Sequence, residues 1–129
     1  MSYNPDVIDP AEQISRFACE SSYYRKDGTA RPKAFQADSD NEVSVFRIDY
    51  LGEVEVWTLG DVSCAARDKP AKASIEFAAI AVEESGLQLA ISEPPERHAA
   101  IRGWSDDQNR LRNQQQLAAA STVKVRAAI

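Results

Sequence analysis

The segment Arg97-His98-Ala99-Ala100-Ile101-Arg102-Gly103-Trp104 gathers the residue types best suited to chemistry in this chain. His98 is the sole histidine, and imidazole is the side chain whose ordinary pKa lies nearest neutrality. It is therefore the expected catalytic group, acting as general acid or base. Arg97 and Arg102 flank it, and paired guanidinium donors can hold a phosphate or carboxylate. A helix expected just after this segment would add free backbone N–H groups for an anion. Arg47 is the second candidate. It interrupts the apolar run Val45-Phe46-Arg47-Ile48, and arginine is rarely buried without a partner. Pointing into a cleft, it would recognise an anion. Arg31, in Arg31-Pro32-Lys33, completes the anion-binding set. Each residue also has a purely structural reading. His98 would order a loop through backbone contacts, Trp104 would seal the core, and Arg47 would lie on a sheet face or pair with Asp49 or Glu55.

Other chemistries lack their residues. No two of the five glycines are two apart, so neither a GxGxxG dinucleotide loop nor a Walker loop is present. GxSxG is missing, and no carboxylate cluster has metal-ligand spacing. Cys19 and Cys64 stand 45 positions apart with no CxxC pattern. With one histidine they fall short of a zinc ligand set. No metal and no cofactor are expected, and the two cysteines read as buried free thiols in a reducing cytosol.

The elements that must hold these residues follow from local pattern. Residues 1–8 read as a loose leader. Asp9-Pro10-Ala11-Glu12 carries helix-start signals, and Ile14, Phe17 and Ala18 follow at helical spacing, which predicts a helix over 10–20. Residues 23–42 are turn-rich, with Asp27-Gly28 and Arg31-Pro32. The alternation over 43–49 predicts a strand, and that over 53–59 a second, with a short helix as the alternative. Residues 73–82 and 87–91 read as a hairpin around Glu83-Glu84-Ser85-Gly86, although the alanines leave helix open over 73–84. Pro94-Pro95 ends it, and 97–104 is expected as a loop. Ser105 with Asp106 and Asp107 starts a helix that runs to about Ala120. Its apolar stripe is narrow, and the tail 122–126 alternates like an edge strand.

Composition bounds the function. The chain has 129 residues, 43% hydrophobic and 27% charged, which suits one soluble globular domain over 1–129, with 122–129 left flexible like the leader. No apolar run reaches the roughly 20 residues of a membrane span, so no membrane partner is expected. The first residues lack the basic start and apolar run of a signal peptide. Fifteen basic residues face twenty acidic ones, for a net charge of -5. That argues against nucleic acid as partner, even though Tyr23-Tyr24-Arg25-Lys26 interleaves aromatics with cations. Positive charge is concentrated over 16–33 and 97–129. If those two regions met, they would form an anion-attracting patch. Ten arginines against five lysines fit a GC-rich bacterial source.

Three blocks carry a resemblance: Arg31-Pro32-x-Ala34-Phe35, Ser44-Val45-Phe46-Arg47, and Arg97-His98-Ala99-Ala100-Ile101 with Gly103-Trp104. Over roughly 31–104 the chain resembles small bacterial proteins that share such blocks. The resemblance brings no activity with it, but it groups Arg31, Arg47 and His98 for testing.

The expected fold is therefore α+β, a single domain with a mostly antiparallel sheet of about four strands and a helix at each end of the chain. The expected function is a small cytoplasmic binding or accessory protein with a protein partner or a small anionic ligand. The alternative is a small enzyme or nucleotide or phosphate binder using His98, Arg47 and Arg31. A homodimer is expected from the frequency of two-fold assemblies.

Overall fold

A computed structural model describes residues 3–105 and 108–127. Six strands form one antiparallel sheet: β1 (Gln13–Ala18), β2 (Val43–Arg47), β3 (Ala73–Ala78), β4 (Gln88–Ile91), β5 (His98–Arg102) and β6 (Thr122–Val125). Their order across the sheet is β4-β5-β2-β1-β3-β6. Among the described residues three α-helices accompany them: α1 (Glu53–Cys64), α2 (Ile80–Glu84) and α3 (Gln108–Ala119). Among the described residues, no helix is long and apolar enough to cross a membrane.

Both faces of the sheet are covered. On one, Ile14, Val43, Val45, Ile75, Phe77, Ala99 and Ile101 pack with Phe35, Val82, Trp104 and Leu117 of α3. On the other, Phe17 and Phe46 pack with Cys19, Ala71, and Trp57 and Cys64 of α1. Burying a side chain such as Ile14 or Phe77 stabilises by about 1.5–3 kcal/mol, and both are nearly sealed from water.

The helix α1 is secured at its start by the Glu55 carboxylate, which accepts the Gly52 N–H at 3.0 Å. Glu53 and Glu55 also complement the positive end of the helix dipole. Its buried stripe is Trp57, Gly60 and Cys64. Gly60 allows close approach to the sheet, because a Cβ there would stand 2.8 Å from both Ala71 Cβ and Phe17 Cδ1. The helix is also tied covalently, by a disulfide between Cys64 and Cys19 just beyond β1, with Cα atoms 5.6 Å apart.

The sheet has six strands, not about four, and among the described residues no N-terminal helix precedes it. The helix expected over 10–20 is instead a turn followed by β1. Asp9 Oδ1 accepts the Ala11 N–H at 2.8 Å, and the Asp9 carbonyl accepts the Glu12 N–H at 3.0 Å. The same signals that open a helix here close a turn, and pairing with β3 along all six residues of β1 then fixes extended backbone. The strand expected over 53–59 is α1. Its alternating Val54 is 79% exposed while Trp57 and Cys64 are buried, so the 3.6-residue period wins. Strands β3 and β4 do not form a hairpin. α2 lies between them, β4 pairs with β5, and β3 pairs with β1 and β6. The expected loop 97–104 contains β5. The expected free thiols are joined. The C-terminal helix is present as α3, and the tail pairs with β3 as β6. The expected contribution of Asp106 and Asp107 to that helix lies outside the described residues.

Candidate functional site

Arg47 is buried and fully engaged. Its Nε donates to Glu12 Oε2 at 2.5 Å and its Nη2 to Glu12 Oε1 at 2.9 Å. Nη2 also reaches the carbonyls of Asn4 and Val7, both at 2.7 Å, and Nη1 reaches the Pro5 carbonyl at 3.3 Å. Every nitrogen of this guanidinium therefore donates to a protein oxygen. The effect is to strap residues 3–7 across one end of the sheet. Tyr3 lies between Arg47 and Arg97, whose Cζ atoms are 4.5 and 3.9 Å from its ring centre.

Arg97 has the same structural occupation. Its Nη1 donates to the carbonyls of Asp49 and Arg47, at 2.7 and 3.2 Å. Glu93 accepts the Arg97 backbone N–H at 2.7 Å and the Tyr3 hydroxyl at 2.8 Å. Those two bonds hold the Glu93 carboxyl below its ordinary range. Partial burial and the bond to Glu93 push the Tyr3 hydroxyl up.

His98 faces the other side of the sheet. Phe46 pairs with His98 across β2 and β5, and their rings meet edge to face at 5.3 Å. Arg47, one residue on, points the opposite way. His98 Nδ1 lies 2.8 Å from the Ser92 carbonyl. A carbonyl only accepts, so the neutral ring carries its proton on Nδ1. Arg102 pairs with Glu42 at the surface. Arg31 is exposed beside a shallow depression that also touches Arg25 and Lys33. Of the five sequence candidates, only Arg47 and Arg97 come together, at Tyr3, and Arg31, Arg47 and His98 share no cleft.

A different cation does face a cleft. β1 and β2 pair through Ile14–Arg47 and Ser15–Phe46, and there the ladder stops. Continued past Arg16 and Val45, the register would join Phe17 to Ser44. Instead, both line a cavity of about 440 Å³ that opens beside these central strands. Arg16 braces the gap, with Nε donating to the Ala34 carbonyl at 2.9 Å and Nη1 to the Ser44 carbonyl at 3.0 Å. Its guanidinium lies 5.9 Å from the Tyr23 ring centre. Among the described residues, no carboxylate forms an ion pair with Arg16. Burial pushes its guanidinium below the ordinary value, opposed by Tyr23 and Asp38 and reinforced by Arg67.

The rest of the lining comes from three directions. Arg67 and Ala66 arrive on the 3₁₀ turn Ala65–Arg67, which directly follows the disulfide-bonded Cys64. Cys19 itself forms part of the wall. Asp38 and Glu42 come from the turn before β2, where Asp38 Oδ1 accepts the backbone N–H groups of Asp40 and Glu42 at 2.9 and 3.2 Å. A larger hollow of about 670 Å³ lies beside the strap, but the charged residues lining it are Asp9, Glu12 and Asp49, with no cation among them.

In the sequence Arg16 is one of five cations over 16–33, with nothing local to single it out. Its expected place on a helix concealed that it belongs to a central strand. No family model, curated protein or solved structure matches the chain.

Proposed function

We propose that this chain is a small binding protein whose cleft between β1 and β2 receives an anionic group of a small ligand. The observation that carries this reading is the guanidinium of Arg16. It is held in place by two carbonyls, it lines an open cavity, and no carboxylate among the described residues forms an ion pair with it. A pre-positioned arginine loses little conformational freedom on binding, and a partly desolvated charge attracts an anion more strongly than a solvated one. Arg67 adds a second positive charge to the same wall.

The Cys19–Cys64 bond supports a working compartment in which thiols are oxidised, in place of the reducing cytosol suggested by isolated cysteines. Self-association belongs to the same proposal. β6 ends the sheet, and its outer edge is free to pair with a second copy among the described residues. Light scattering at micromolar concentration tests that part.

Calorimetric titration with inorganic phosphate, propionate and 3-phenylpropionate tests the binding reading. At least one of them binds, and Arg16→Gln weakens it by about tenfold or more, as expected for loss of a charge-assisted contact. Binding of none of the three nor of L-phenylalanine, whose carboxylate would take the same place, or equal binding by Arg16→Gln, overturns it.

A further inference from the structure

We infer that the cleft is built for a zwitterion, a free α-amino acid or the equivalent amino and carboxylate pair of a very short peptide. This rests on the reading of the cleft as an anion site and narrows its ligand. Two guanidinium groups, Arg16 and Arg67, line the cavity together with two carboxylates, Asp38 and Glu42. A site for a phosphate or another multiply charged anion gains nothing from two carboxylates in its wall, since like charge repels the ligand. A ligand carrying both signs uses both halves.

The two halves differ in how much charge is already spent. Glu42 is paired with Arg102, so its charge is largely answered. Asp38 makes no ion pair among the described residues, and its Oδ1 is fixed by two backbone N–H groups. Arg16 and Arg67 make no ion pair among the described residues, and of the two Arg16 is the one braced by carbonyls. The cavity therefore offers one braced cation for a carboxylate and one braced carboxylate for an ammonium. Phe17, Tyr23, Ala37 and Ala66 supply apolar and aromatic surface between the charges. At about 440 Å³, the space is of the size that takes a small molecule. Asp38 also contributes to holding the Arg16 charge, which places the two within electrostatic reach of each other.

Four probes dissect the site by calorimetry with the intact, oxidised chain: L-phenylalanine, N-acetyl-L-phenylalanine, L-phenylalaninamide and 3-phenylpropionate. L-phenylalanine binds about tenfold or more tighter than each of the other three, which lack one charge or the other. Asp38→Asn keeps the oxygen that anchors the turn but removes the charge. It abolishes the preference for L-phenylalanine over the N-acetyl form. Arg16→Gln weakens L-phenylalanine and 3-phenylpropionate alike. If the N-acetyl form or 3-phenylpropionate binds as tightly as L-phenylalanine, or if Asp38→Asn preserves the preference, the zwitterion inference falls while the anion site stands. If none of the four probes, nor phosphate, binds the parent chain, both readings fall together.

Discussion

Arg47 and Glu12 meet through two parallel hydrogen bonds in a place where their side chains are only 1% and 7% exposed. Burying two charges is costly, and a pair in this geometry offsets most of that cost without adding much. Removing one partner is different. Glu12→Ala leaves a buried guanidinium without its counter-charge, and a loss of about 3–5 kcal/mol is expected in urea unfolding. The double change Glu12→Leu with Arg47→Met should cost clearly less than the sum of the two single changes. Strict additivity would show that the pair is not coupled.

His98 gives a second stability prediction. Its Nδ1 proton is committed to the Ser92 carbonyl and its ring to Phe46. His98→Ala should cost about 1 kcal/mol, the net worth of a typical hydrogen bond, since His98 and Ser92 are both half-buried. Ligand binding in the β1–β2 cleft should be unchanged once folding is accounted for. A melting temperature equal to that of the parent would show that these contacts contribute nothing.

The disulfide joins residues 45 apart in sequence. Its removal should therefore destabilise by about 2–5 kcal/mol, the usual range for a native cross-link in a small domain. Thermal melts with and without dithiothreitol measure this directly. The oxidised protein should show no titratable thiol under denaturing conditions, and detection of two would contradict the bond. Because Cys64 directly precedes the turn that carries Arg67, reduction should also weaken ligand binding in the cleft before the chain unfolds.

Acid should loosen specific joints. Asp61 accepts from Arg126 at 2.7 Å and from the Ala71 N–H at 3.1 Å, and the Arg126 bond leads in holding its carboxyl below the ordinary range. Glu93 is held down in the same direction. A carboxylate depressed in the folded state stabilises fully above its unfolded value, near 4, and loses that contribution as pH falls through the folded value. Stability should thus be level between about pH 5 and 6 and decline below about pH 4. Asp61→Asn should lower stability at pH 6 and flatten the decline. An unchanged acid profile in that variant would remove Asp61 from the account.

How far the sequence reveals this molecule depends on burial. β2 and α3 are legible because an alternating run and a polar helix with a narrow apolar stripe each have one plausible period. β1 is not, because Ile14 and Phe17 are buried on opposite faces of a central strand, and that hides alternation. α1 was ambiguous because Val54 and Val56 mimic a strand, while the informative residues were Trp57, Gly60 and Cys64 at helical spacing. In the sequence Trp57 falls within the alternation over 53–59 instead. The unusual burial of Arg47 was legible from its apolar neighbours, but its partner was not. Glu12 lies 35 positions away, and only the β1–β2 register brings it there. Arg16 was least legible of all. Its significance comes from a ladder that stops two pairs in, and nothing in local composition marks where two strands part.

The strand order has a consequence for how fast the chain finds its structure. Ile14 pairs with Phe77, Val43 with Ile101, and Ile75 with Val123, joining positions 63, 58 and 48 residues apart. Only β4 and β5 meet as close neighbours in sequence. Each remote pairing must overcome the entropy of closing a long loop before its contacts can reward it. Folding should therefore run on the millisecond-to-second scale typical of sheets with remote partners, rather than the microseconds of helical bundles. β3 stays an open edge on one side until β6, the last strand in the chain, is available to cover it.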